Sequence, residues 1–169
     1  MVTIRSAIPD DAAAIAAIYG YYVDSDLATF DETAPPAGYF ADKIKAATHP
    51  YLVAIDQDDT LCGYCYAAQY RDRPAYRHTV ETSIYLGPTA RGKGVGKALM
   101  VELIAQLKHD QTPIKQLIAG IATADHNPDV GRASVALHES LGFSRVGLFA
   151  NAGYKFGEWL NVAYYQRAL

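Results

Sequence analysis

The sequence predicts an α/β (α+β) fold, a central mixed sheet of about seven strands flanked by about four helices. Three observations predict it. Apolar residues alternate in some segments and recur with helical spacing in others. The two kinds interleave in the order β-α-α-β-β-β-α-β-α-β-β. Gly, Pro and Asp-rich breakers separate them, with no repeat, low-complexity run or linker, so residues 1–169 read as one domain.

Residues 2–7 (VTIRSA) open as a strand. Pro9-Asp10-Asp11 introduces a helix with Asp10 as its expected N-cap. Ile15, Ile18, Tyr19 and Tyr22 make its apolar stripe. Pro35-Pro36 breaks the chain before a short helix over 37–47. Residues 51–56 and 61–70 form a hairpin around DQDDT. After a charged loop, HTVETSIYL is a strand with Val80, Thr82, Ile84 and Leu86 on one face. Thr79, Glu81, Ser83 and Tyr85 take the other. A long helix runs from Arg91 to Asp110, burying Leu99, Met100, Leu103, Ile104 and Leu107. Residues 115–122 are a strand, and RASVALHESLG is a helix ending at Gly142. FSRVGLFA and WLNVAYYQRAL close the sheet.

Composition excludes several classes. The chain is 50% hydrophobic, 20% charged and carries a net charge of −3. That argues for a soluble globular protein and against nucleic acid as a partner, which wants a basic footprint. No apolar run is long enough for a membrane span, and the N-terminus lacks a signal-peptide layout, so the expected location is cytoplasmic. The two cysteines, Cys62 and Cys65, form a CxxC on a strand. Residues three apart on a strand face opposite ways, so buried structural thiols are expected, not a redox or zinc site.

The stretch RGKGVGKA at 91–98 concentrates glycines and cations between a strand and a helix. A Walker A loop would need Gly where Arg91 stands and Ser or Thr where Ala98 stands. A dinucleotide fingerprint would need GxGxxG after the first strand. The remaining pattern, Arg-x-x-Gly-x-Gly, fits Arg91, Gly94 and Gly96. Unsatisfied N–H groups and the helix dipole make such a turn a pyrophosphate cradle.

That segment resembles the acetyl-CoA pyrophosphate loop of the GNAT superfamily of N-acetyltransferases. Further stretches are similar to the phosphinothricin/methionine sulfoximine acetyltransferase family: FDE at 30–32, AYR at 75–77, TVETSIYL at 79–86, LHESLGF at 137–143, and GYKFGEW with YYQR across 153–167. The resemblance implies the GNAT fold, with a mostly antiparallel twisted sheet, and acetyl-CoA as cosubstrate with no metal. It implies that backbone at Ile84, Tyr85 and Leu86 pairs with the pantetheine arm. It implies that Arg91, Gly92, Lys93, Gly94, Val95, Gly96 and Lys97 hold the pyrophosphate.

Glu81 is the candidate general base, since a mid-strand carboxylate is costly unless it meets water, a cation or an amine. By spacing alone it reads equally as a solvent-facing or Arg-paired side chain; the resemblance favours the base. Arg71 and Arg73 suit a substrate carboxylate or phosphinate. Phe30 and Tyr76 could wall the same pocket, with Thr82 and Ser83 adjoining on the strand. His138 stands where many GNAT enzymes carry a Tyr acid, and the phosphinothricin branch carries His. Ser134 is an expected CoA contact. The family's Asn three residues earlier is Gly131 here, and Asn127 could reach its place if the loop folds back.

These readings converge on direct acetyl transfer to the α-amine of a small amino-acid-like substrate. The alternatives are acetylation of a polyamine or protein N-terminus, and a non-catalytic acyl-CoA-sensing module. The aromatic C-terminal segment and the resemblance favour a homodimer.

Overall fold

The computed structural model describes residues 2–169. Its strands are β1 (Thr3–Ser6), β2 (Tyr51–Ile55), β3 (Leu61–Gln69), β4 (Thr79–Leu86), β5 (Gln116–Thr123), β6 (Ser144–Lys155) and β7 (Glu158–Ala168). Its helices are α1 (Ala12–Ser25), α2 (Ala37–Ala46), α3 (Val95–Leu107) and α4 (Arg132–Ser140). The strands form one sheet in the order β1-β2-β3-β4-β5-β7-β6. All neighbours pair antiparallel except β4 and β5, which run parallel.

The parallel pair is short. Only Thr79, Val80 and Glu81 find partners, in Gln116, Leu117 and Ile118. Beyond that point β4 stays with β3 as far as Leu86, and β5 stays with β7 as far as Thr123. The two strands therefore fork, and each turns one edge of backbone groups into the gap. Thr82 marks the fork, its hydroxyl donating to the Ile118 carbonyl at 3.4 Å.

Helices cover both faces. Leu99, Met100, Leu103 and Leu107 of α3 bury against Leu52, Cys65, Val80 and Leu117. Ile15, Ile18 and Tyr22 of α1 and Phe40 of α2 bury against Val53 and Tyr64 on the other face. The alternation expected for β4 holds: Val80, Ile84 and Leu86 go with the α3 core, and Tyr85 packs with the α1 cluster.

Four local features differ from expectation. The long helix starts at Val95, not Arg91, because Gly92 and Gly94 adopt left-handed φ values of 73° and 79°. Asp11, not Asp10, serves the α1 entrance: its carboxylate accepts from the Ile8 N–H at 2.8 Å and holds Arg5 at 2.7 Å. The first closing strand runs on to Lys155. Finally, a register shift opposite Ala54 and Ile55 leaves Cys62 unpaired between Leu61 and Gly63. This bulge turns Cys62 into the same core cluster as Cys65, against simple alternation. Both thiols are buried and unbonded to each other.

Candidate active site

The fork between β4 and β5 opens into a cleft of about 840 Å³. Its walls are β4 from Glu81 to Leu86, β5 from Ala119 to Ala122, the entrances of α3 and α4, and Ser25–Ala28 at the end of α1 and just beyond it.

The α3 entrance is built for an anion. Gly92 and Gly94 take left-handed turns with open space where a Cβ would stand. The first intrahelical bond there runs from the Ala98 N–H to the Gly94 carbonyl at 3.1 Å. The N–H groups of Val95, Gly96 and Lys97 are thus free of helical acceptors. Gly96 has a packing reason as well: a Cβ would press within 3.3 Å of Leu86 and 3.4 Å of Leu137. A second helix entrance, at α4, faces the same cleft and also begins on a left-handed glycine, Gly131, at φ 75°.

Glu81 sits at the fork itself. Its Oε1 lies 3.5 Å from where a Gly120 side chain would begin, so the glycine makes its space. Burial raises the Glu81 pKa above the ordinary carboxylate value, and the nearby charge of Arg71 partly opposes this. His138 is 2% exposed and lines the cleft. Its Nδ1 donates to the Ser134 carbonyl at 2.8 Å, leaving Nε2 buried without a protein partner. Burial lowers its pKa. The neutral imidazole therefore keeps its lone pair on the buried Nε2.

Glu81, Thr82, Ser83, Ile84, Tyr85, Leu86, Arg91, Gly92, Gly94, Gly96, Lys97, Asn127, Ser134 and His138 meet in this one cleft. Lys93, Val95, Phe30, Arg71, Arg73 and Tyr76 lie outside its lining. Val95 turns its side chain into the core, so it can offer only backbone. Arg71 lies over the Tyr70 ring at 4.9 Å and acts on Glu81 through its field. Two further expectations are modified. Both backbone groups of Leu86 are taken by the Tyr22 hydroxyl, at 2.9 and 3.2 Å, so they are not free for a pantetheine arm. Arg91 turns away from the glycine loop: it reaches Asp26 at 3.3 Å and stacks over Tyr22 at 4.8 Å.

The missing Asn also has a physical reason. A Cβ on Gly131 would collide with the Ala122 carbonyl oxygen, so no side chain fits there. Asn127 lines the cleft, with its Oδ1 accepting from the Asp129 N–H at 3.1 Å. Sequence reasoning missed Gly120, Tyr22 and the 25–28 segment. Gly120, an isolated glycine inside a strand, carried a signal of close approach; Tyr22 read only as core.

A family model described as "Acetyltransferase (GNAT) domain" matches residues 4–163. The chain belongs to the GNAT acetyltransferase family. It is thus an acetyltransferase with acetyl-CoA as cosubstrate, and the forked strands and open α3 entrance fit that molecule. This GNAT chain is 39% identical over 170 residues to a phosphinothricin N-acetyltransferase of Alcaligenes faecalis, covering 99% of this chain and 82% of that one. It is 32% identical to an L-methionine sulfoximine/L-methionine sulfone acetyltransferase of Salmonella typhimurium, covering 99% and 95%. A crystal structure of a GNAT superfamily phosphinothricin acetyltransferase from Sinorhizobium meliloti in complex with AcCoA superposes with a TM-score of 0.89. The identity there is 40%, over 99% of this chain and 88% of that one. Among the described residues, no cluster of side chains could hold a metal ion, and no helix is long and apolar enough to cross a membrane.

Proposed function

We propose that this chain, as one catalytic domain, acetylates the α-amine of a small amino-acid-like substrate by direct transfer, with Glu81 as general base. The phosphinothricin and methionine sulfoximine/sulfone types are the preferred acceptors, supported by the relatives named above. The observation that carries the reading is the Glu81 carboxylate, withdrawn from water at the β4–β5 fork with a raised pKa.

Acetyl-CoA supplies the activated acetyl group as a thioester. The free N–H groups at the α3 entrance, Lys97 and the cleft edge of β4 would hold it. The residues of this chain do the rest. Glu81 accepts a proton from the substrate ammonium, directly or through water, which frees the amine lone pair. Its raised pKa brings it nearer the operating pH without matching that of an amine. Arg71 and Arg73 provide guanidinium groups for the substrate carboxylate or phosphinate, and Phe30 and Tyr76 form apolar walls at the rim. As the N–C bond forms and the C–S bond breaks, His138 Nε2 takes the second proton shed by the nitrogen and is the candidate acid that returns it to the departing sulfur.

The chain works as a homodimer in this reading. β6 is an edge strand exposed from Ser144 to Ala152, with Val146 57% and Phe149 61% exposed. Such an edge is normally covered. Acetyl-CoA as cosubstrate and two unbonded thiols support a cytoplasmic setting.

An amine panel with acetyl-CoA, read by free-thiol release, tests the acceptor. Turnover of phosphinothricin or methionine sulfone is expected; refusal of both with turnover of polyamines or N-terminal peptides overturns the substrate class. An acyl-CoA sensor would bind acetyl-CoA and release no Glu81-dependent thiol with any amine.

A further inference from the structure

Lys155, at the last position of β6, is 3% exposed and far from the cofactor loop in sequence. Its ammonium donates to three main-chain carbonyls: Asp26 at 2.8 Å, Thr29 at 2.9 Å and Tyr22 at 3.0 Å. An ammonium has three N–H groups, so all are satisfied. The carbonyls of Tyr22 and Asp26 belong to the last turn and C-cap of α1, where a cation is favoured; Tyr22 O also accepts from the Asp26 N–H at 3.2 Å, so Lys155 is its second donor. Thr29 extends the same grip into the following segment.

That segment is part of the site. Ser25, Asp26, Leu27 and Ala28 wall the cleft. Phe30 lies so close over Gly153, also on β6, that a Cβ there would stand 2.5 Å from its ring. Tyr19 bonds the Thr29 hydroxyl at 2.6 Å and the Asp31 carboxylate at 2.7 Å. Asp26 also meets Arg91 from the glycine loop through its carboxylate at 3.3 Å. The segment has no helix or strand of its own to hold its carbonyls in place. One side chain gathers two of them, those of Asp26 and Thr29, and ties them to the Tyr22 carbonyl of α1.

We propose that Lys155 is a positioning residue for acetyl transfer: its ammonium fixes the 26–30 segment and thereby the amine-side wall of the cleft. The assignment of that wall to the amine rests on the acceptor reading above. Lys155 touches neither reacting group and acts through the backbone it holds. Its loss should therefore weigh on the amine more than on acetyl-CoA.

The test compares wild type, Lys155→Gln and Lys155→Met by steady-state thiol release. Gln keeps two N–H donors for the carbonyls, and Met keeps the stem with none. The expected result is a fall in kcat/KM for the amine of roughly 30-fold or more in Lys155→Met, with partial recovery in Lys155→Gln. KM for acetyl-CoA should stay within about threefold of wild type. Folding of each variant is checked by circular dichroism and thermal melting. The proposal is overturned if Lys155→Met keeps its amine kcat/KM within twofold. It is equally overturned if amine and acetyl-CoA constants shift together, or if neither variant folds, because the role is then structural. The comparison is run with whichever amine the wild type accepts. A wild type that takes only polyamines would end the acceptor reading while leaving the Lys155 comparison to be decided on that amine.

Discussion

Lys155 is buried and Glu81 half-buried, and the difference between the surroundings of these two charged side chains separates scaffold from chemistry. Lys155 lies at the closed end of β6 with every ammonium N–H matched to a carbonyl. Glu81 lies at the open fork of β4 and β5, where burial works against its charge and only the field of Arg71 helps it. Burying a charge is tolerable when hydrogen bonds replace the lost water. Lys155 has that replacement and Glu81 lacks it. A carboxylate left wanting a partner in a cleft is ready to take one from a substrate.

The sharpest way to break the comparison is Glu81→Gln. The expected loss is about 10²–10⁴-fold in kcat, the usual contribution of a positioned base. The same substitution should raise Tm. The folded state binds the Glu81 proton more tightly than the unfolded chain does, because its pKa is raised. The ionised group therefore costs stability above its folded-state pKa and costs nothing below the unfolded carboxylate range. The gain in Tm on removing it should be present at neutral pH and fade as pH falls through that range. A variant that is both inactive and less stable would contradict the contrast.

Lys155→Met should move stability the other way, by roughly 2–5 kcal/mol, since the Asp26 and Thr29 carbonyls lose their donor and Tyr22 O keeps only the Asp26 N–H. Chemical denaturation with an unchanged m-value is the check. Gly131→Asn, which restores the family's residue to the α4 entrance, should also destabilise, by about 3 kcal/mol. The side chain meets the Ala122 carbonyl and a left-handed φ together. A better-binding, equally stable Gly131→Asn would refute the packing explanation for the missing Asn.

Smaller effects sharpen the picture. Gly153→Ala should displace the Phe30 ring, which is 39% exposed. Stability should change by less than about 1 kcal/mol, while KM for the amine rises several-fold. Arg71→Ala should raise KM for the amine through the lost guanidinium and add a small shift in pH dependence. Arg71 holds the Glu81 pKa down, so its removal moves the acid limb of the kcat/KM profile toward higher pH. A limb that stays put would mean that the Arg71 field does not reach the carboxylate.

Much of this was legible in the residues. The order and type of every element followed from period-2 and period-3.6 patterning, and strand–glycine turn–helix pointed to the anion cradle. Near-neighbour spacing encodes such features directly. The α3 start was misplaced because helical spacing runs smoothly back through Gly92 and Gly94, whereas the positive φ values are a decision of the folded loop. Cys62 was assigned by simple alternation, and a bulge overrode it.

By itself the sequence determined the secondary elements, the donor loop and the resemblance that names the acetyl donor, because those signals lie within a few residues of each other. Tertiary structure alone decided where β4 and β5 part, that Gly131 admits no side chain, and which cations reach the cleft. It alone brought the carbonyls of Tyr22, Asp26 and Thr29 to the ammonium of Lys155. The physical reason is that periodicity records which face a residue shows, whereas convergence across the chain depends on how the packed elements meet.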